Sequence, residues 1–295
     1  MPENPTRTYD LNPQNNIMKL GQNFPRGNKF LAWLATGGVI CQMLSLASPA
    51  SAAFTLTDGN SSTVIDLSSP AGMTSWTIDG SNVLNQQSFF YRTTGSVGSS
   101  ISPLSLTQLL PNSLSATFAG VGFNVTTVYT LIGGAALSGT ADISEQIKVQ
   151  NTTAAPLVFN FFQFANFAGN GTVELGQNSR GFINEAFISG GLVVTENLDT
   201  GISPGANNGA VGDAATVLGD ITGTPGYTPN GPLTGPGAWV LEWERTIGGN
   251  GSLIISKDLN AAEVTVTPEP PAWSLVSIGL IAFGAFKQYR SRRSK

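Results

Sequence analysis

The sequence predicts an all-β body, an antiparallel β-sandwich, flanked by an N-terminal signal peptide and a single C-terminal transmembrane helix. Three observations carry this. Apolar and polar residues alternate with period two along the body. Gly, Asn, Ser and Thr clusters break the alternation at turn spacing. Two apolar runs without a charge stand at the two ends of the chain.

The first run extends from Phe30 to Leu46, behind Lys19, Arg26 and Lys29 and ahead of Ala50-Ser51-Ala52. A basic flank, an apolar core and a small-x-small site are the parts of a secretory signal peptide. Residues 1–52 are therefore expected to leave, with Ala50 and Ala52 marking cleavage and Ala53 opening the mature chain. The polar stretch 1–17 precedes Met18, which reads as an alternative start. Ile40 precedes Cys41 where a lipoprotein site needs a small residue, so lipidation is not expected.

The body spans 53–267. Trp76-Thr77-Ile78, Asp79-Gly80 and Val83-Leu84 read as strand, turn and strand, because Asp-Gly supplies the positive φ of a tight hairpin. Phe123, Val125, Tyr129 and Leu131 share one strand face. Ile143–Gln150 and Leu157–Phe167 read as two strands with a loop between them. Trp239, Leu241 and Trp243 lie opposite Val240, Glu242 and Glu244, and Leu253–Lys257 and Val264–Val266 read as short late strands. No helical stripe is expected in the body. Residues 199–237, rich in Gly, Pro, Asn and Thr, read as a long surface loop, since their apolar residues come at most in pairs.

Composition excludes several function classes. The chain of 295 residues has no His and one Cys, which removes Ser-His-Asp and Cys-His catalysis, imidazole metal sites and an internal disulfide. Only 11% of residues are charged, against roughly 25% in an average soluble domain. The body holds five Lys/Arg against fifteen Asp/Glu, a net charge of −10, which opposes binding to nucleic acid.

The C-terminus reads Pro268-Glu269-Pro270-Pro271, an uncharged run over 272–286, and a basic end containing Arg290, Arg292, Arg293 and Lys295. The run is short for a span of roughly 20 residues, but Trp273 and Tyr289 suit the interfaces, and the basic end stays cytoplasmic. Pro268-Glu269-Pro270, apolar helix and Arg cluster in this order resemble the PEP-CTERM sorting signal, which covers 268–295 here. The resemblance implies export, recognition by an exosortase after signal peptidase has acted, an inner-membrane precursor, and delivery to the cell envelope or extracellular matrix, in company with exopolysaccharide. Trp76–Gly80 with Gln86–Arg92, and Phe161–Phe167, resemble segments of other PEP-CTERM bodies, with Asn166 and Ala168 where that pattern carries Asp.

Candidate chemistry in the body is sparse. Glu242 and Glu244 share a strand face about 7 Å apart, within the roughly 6.5–9.5 Å of inverting glycosidases, but any exposed strand with alternating Glu gives this spacing. Trp76, Trp239, Trp243 and Tyr91 could stack on sugars, although alternation places most of them between the sheets. Asp58, Asn60, Asp199, Asp213 and Asp220 are the oxygen donors a calcium ion would need; otherwise no cofactor is expected, and no catalytic residue is assigned. The resulting expectation is an exported structural or adhesive surface protein that is not an enzyme. The alternatives are a carbohydrate-binding module for exopolysaccharide and a polysaccharide-active enzyme.

Overall fold

A computed structural model describes residues 53–198 and 205–263. The expected signal peptide with Ala50 and Ala52, the expected sorting tail with Pro268, Glu269, Pro270, Arg290, Arg292, Arg293 and Lys295, and also Asp199 and Val264–Val266, lie outside the described residues.

Along the chain run β1 (Ala53–Asp58), β2 (Ser61–Asp66), β3 (Gly72–Ile78), β4 (Ser81–Arg92), β5 (Ser99–Ser100), β6 (Ser105–Leu110), β7 (Ser113–Gly120), β8 (Phe123–Gly133) and β9 (Ala141–Asn151). They are followed by β10 (Leu157–Phe167), β11 (Thr172–Asn178), β12 (Gly181–Ser189), β13 (Leu192–Asn197) and β14 (Asn208–Gly212). Helix α1 (Ala214–Gly223), β15 (Thr234–Pro236), β16 (Ala238–Ile247) and β17 (Ser252–Glu263) complete the order. The first sheet has the order β1-β2-β3-β4-β10-β16-β14, with β5 beside β4; the second runs β15-β11-β12-β13-β17-β9-β8-β7-β6. The pairings between these strands are antiparallel, so the all-β sandwich expected from the alternation is the observed architecture.

The alternation decides which faces meet. On β8, Phe123, Val125, Thr127, Tyr129 and Leu131 are buried, while Asn124, Thr126, Val128 and Thr130 lie on the half-exposed outer face. Trp239, Leu241 and Trp243 on β16 join Trp76, Phe159 and Phe161 in the core between the sheets. Phe167 stacks on Trp239 at 4.7 Å and on Phe187 at 5.1 Å, which ties the first sheet to the second. Such aromatic contacts contribute about 0.5–1.5 kcal/mol each beyond their buried area. The β3–β4 hairpin turns on Asp79 and Gly80 at φ 48° and 83°, the paired positive dihedrals that Asp-Gly permits.

Residues 151–156 carry the chain from one sheet to the other, because β9 belongs to the second sheet and β10 to the first. Asn151 holds this crossing: its amide donates to the carbonyls of Ala155, Ile247 and Gly248 at 2.7–3.1 Å and accepts from the Thr153 N–H at 2.9 Å.

Three expectations are corrected here. Leu253–Lys257 is part of one long strand, β17, reaching Glu263. The body does contain a helix. Within 199–237, the described part is structured rather than a free loop: β14 pairs with β16, α1 follows, and β15 pairs with β11. Asp213 caps α1 by accepting from the N–H groups of Ala215 and Thr216 at 3.1 and 3.0 Å. Val217 and Ile221, four residues apart, then face Phe90, Phe162, Phe164 and Val240 on the outer side of the first sheet. The pair Ala210-Val211 lies in β14 after all, while Val217 with Ile221 is enough for the buried side of the ten-residue helix. Glycine enters β14 for a packing reason, since a Cβ on Gly209 would meet the Leu241, Leu175 and Phe182 side chains at 3.0–3.2 Å.

Candidate functional site

The outer face of the first sheet carries a polar network at its covered end. Glu242 of β16 projects away from the core, since Trp243 beside it points inward. It is nevertheless fully buried, flanked by Asn208 of β14 in the sheet and by Arg92, whose other nitrogen reaches the Tyr227 carbonyl. Asn160 of β10 and Arg92 of β4 donate to its Oε1 at 2.7 and 3.1 Å, and Asn208 of β14 donates to its Oε2 at 2.9 Å. Arg92 also donates to the Tyr227 carbonyl at 2.6 Å and lies 5.2 Å over the Phe162 ring. Burial raises the Glu242 carboxyl above its ordinary range and Glu244 adds to the rise, against the lowering pull of Asn208, Asn160 and Arg92. The Tyr227 hydroxyl is pushed up to about 12, first by burial and then by Asp220 and Glu242.

Asn208 is also a wall of a cleft of about 230 Å3 that opens next to this network. Gln177 of β11, Asn207, Asn208 and Asn230 line it with Phe182, Leu233 and the bare backbone of Gly209 and Gly231. No charged side chain is among its lining residues. Asn207 is held in place: its oxygen accepts from the Glu244 N–H at 2.8 Å and from Arg245, whose other nitrogen donates to the Gly205 carbonyl at 2.8 Å. A primary amide offers two donors and an acceptor, so this wall matches ligands that present neutral hydroxyls.

A second polar cluster is sealed between the sheets. Lys257 of β17 pairs with Glu145 of β9, and with Glu196 of β13 at 2.5 Å. Gln163 of β10 donates to both Glu196 oxygens at 3.0 and 2.8 Å. With its amide oriented to suit its neighbours, Gln87 donates to Glu145 at 2.6 Å and accepts from Gln163 and Lys257. Glu185 of β12 is buried with neither oxygen hydrogen-bonded, and Glu196 and the Trp239 ring are among its neighbours. Burial drives Glu145 up to about 7, opposed by Lys257 and assisted by Glu196, and burial with Glu196 drives Glu185 well above the carboxylate range. Burial alone would pull Lys257 down, but Glu145 and Glu196 outweigh it and keep the ammonium charged. None of these side chains lines the cleft.

The sequence-predicted candidates disperse. Glu242 and Glu244 do share the outer face of β16, but one is buried in a network and the other exposed, so they do not form a facing pair in a cleft. Trp76, Trp239 and Trp243 are core residues, and the Trp76 ring N–H donates to Ser61 at 2.9 Å. Asp58 accepts from the Gly133 N–H, Asn60 ties Asp79 to Gly134, and Asp213 caps α1. Among the described residues, no three His, Cys, Asp or Glu side chains stand where they could hold a metal. Gln177, Asn207, Asn208 and Asn230 escaped the sequence reading because they come from separate segments in a chain full of Asn, and only strand pairing brings them together.

No protein-family model matches the chain, and no curated protein matches it. Solved structures do resemble it in fold. A galactose mutarotase-related enzyme from Lactobacillus acidophilus aligns over 72% of this chain and 98% of its own at 8% identity, TM-score 0.43. A galactose mutarotase-like protein from Lactobacillus casei aligns over 71% and 99% at 8% identity, TM-score 0.41. A heparan sulfate lyase from Pedobacter heparinus aligns over 74% of this chain and 36% of its own at 8% identity, TM-score 0.39. The expectation that this protein is not an enzyme is corrected on this finding, since structures of similar fold are described as enzymes. The likeness itself is one of fold.

Proposed function

We propose that this is an exported cell-surface protein whose body binds a saccharide in the amide-lined cleft. The observation that carries the reading is the cleft wall: Gln177, Asn207, Asn208 and Asn230 line one cleft, and no charged side chain is among its lining residues. Binding sites for sugars need paired donors and acceptors at fixed positions, and here Asn207 and Asn208 are locked by Arg245 and Glu242 behind them. At about 230 Å3 the cleft is smaller than the roughly 300–1,000 Å3 pockets that take drug-sized ligands. It therefore accepts one ring or the end of a chain. Export rests on the signal peptide with Ala50 and Ala52 and on the tail 268–295, whose Pro268-Glu269-Pro270 and Arg290, Arg292, Arg293 and Lys295 address the protein to an exosortase and the envelope.

The test is titration of the protein with neutral mono- and oligosaccharides, followed by ligand-observed NMR, which also reads any change at the sugar's anomeric carbon. Saturable binding is expected, weakened at least tenfold when Gln177→Ala and Asn230→Ala are combined, with an unchanged β spectrum. Binding that ignores the double variant, or no binding across neutral sugars, overturns the reading. Fractionation with antibodies to the body and to a tag at Lys295 tests export separately. Retention of the tail in every fraction, unchanged by Glu269→Ala, rejects the sorting signal.

A further inference from the structure

The two sheets have four edges, and three of them are blunted in ways that natural β proteins use. β15 is three residues long and ends in Pro236. The free side of β14 is met by the segment 230–232, through the Gly209–Asn230 bridge and a bond from the Val211 N–H to the Pro232 carbonyl at 2.8 Å. On β1, the Thr57 N–H donates to the Pro111 carbonyl at 2.8 Å. β6 differs. It closes the second sheet with the sequence Ser-Leu-Thr-Gln-Leu-Leu, contains no charge, Pro or Gly, and is exposed at all six positions. Among the described residues its strand partner is β7 alone.

The register on β7 sorts the leucines. Leu106 lies opposite Ala116 and Leu109 opposite Leu114, with Thr107 as the extra residue between them. Ala116 and Leu114 are fully buried, so Leu106 and Leu109 project to the same side of the sheet, yet they are 40% and 45% exposed. An open strand edge offers main-chain N–H and C=O groups that only another extended chain can satisfy as a row. A strand that meets its own copy antiparallel about a two-fold axis sets residue i against a fixed complement. Centred between Thr107 and Gln108, that pairing sets Leu106 against Leu109 of the second copy, and Leu109 against Leu106. Four leucines then meet on one side, and no like charges are opposed within the strand.

We infer that β6 is a self-association edge, on which two copies of this protein join their second sheets through antiparallel β6–β6 pairing. One six-residue pair falls short of the roughly 1,200–2,000 Å2 of a stable interface. The dimer is therefore weak and forms where the protein is concentrated, as on a surface.

Sedimentation velocity on the full mature chain, from about 10 to 500 µM, reads the association. A reversible monomer–dimer equilibrium is expected. Leu106→Lys with Leu109→Lys places like charges across the axis and weakens association at least tenfold. Leu106→Lys with Leu109→Glu places opposite charges across it and restores most of the association. A monomer at every concentration overturns the proposal, as does a dimer that both variants leave unchanged. Equal loss in both variants rejects this register. The saccharide-binding reading is untouched by any of these results, since Leu106 and Leu109 are not cleft residues.

Discussion

The two buried polar networks are each built from carboxylates, one cation and side-chain amides, and they differ in how many carboxylates each cation must answer. Between the sheets, one Lys257 faces Glu145, Glu196 and Glu185, so acids outnumber bases where water does not reach, and the surplus must be relieved by protons. On the outer face, one Glu242 faces one Arg92 and two asparagine amides, so the charges balance and every carboxylate oxygen has a donor. The first network joins four strands of one sheet to Gln87 and Gln163 of the other. The second fastens the 205–231 segment to its sheet and holds Asn208 at the cleft. A buried carboxylate is therefore a proton store in one place and an anchor in the other, according to its count of partners.

The strongest challenge to this contrast is removal of the lysine. Lys257→Met strips the sealed cluster of its cation and is expected to cost about 3–5 kcal/mol, read as a shift in urea midpoint at pH 7. A cost below about 1 kcal/mol would show that the glutamates already carry enough protons to do without it. Glu242→Leu should cost less, about 2–3 kcal/mol, because Arg92, Asn160 and Asn208 then lose their acceptor near the surface. Its signature is local: limited proteolysis should cut within 205–231 sooner, while amide exchange in β8 and β9 stays slow. Uniform loss of protection would instead place both networks in one cooperative unit.

A third measurement uses pH. Glu145 is raised from 4.5 to about 7, Asp142 from 3.8 to about 6 by burial and Asp258, and Glu185 is raised well above the carboxylate range by burial and Glu196. A carboxyl whose folded value is raised contributes stability that is complete below its unfolded value and is lost as pH climbs through the folded one. Asp66, Asp79 and Asp213 are lowered and act in the opposite sense, losing their contribution as pH falls below the ordinary aspartate range. Stability should therefore peak at mildly acidic pH and fall by about 1–2 kcal/mol between pH 5 and 7. In Lys257→Met the decline should move to higher pH, and in Glu242→Leu the sealed cluster's part of it should stay in place. A profile that is flat or rises from pH 5 to 7 would mean that the sealed carboxyls are ionised after all. The smallest effect is expected from Asp213→Ala, which removes the two N–H bonds of the α1 cap and should loosen only that helix, read as faster amide exchange at Ala215 and Thr216.

What the sequence determined by itself was whatever depends on neighbours along the chain. Strand alternation through Phe123–Leu131 and Trp239–Trp243, the Asp79-Gly80 turn and the inward side of the tryptophans follow from local sterics and from the tendency of apolar faces to leave water, and all three appear in the fold. Glu242 and Glu244 were legible as one face of a strand, but not as buried and exposed, because burial there depends on a segment thirty residues upstream. That segment, 199–237, misled the reading: its strand borrows hydrogen bonds from β16, and its helix draws its stability from a sheet face that does not exist until β4, β10 and β16 have paired. The cleft amides and the Lys257 cluster belong wholly to the tertiary structure. Each of their members is an ordinary polar residue in its own segment, and only the pairing of distant strands decides that Gln177 and Asn230 line one cleft, or that one lysine must answer for three glutamates.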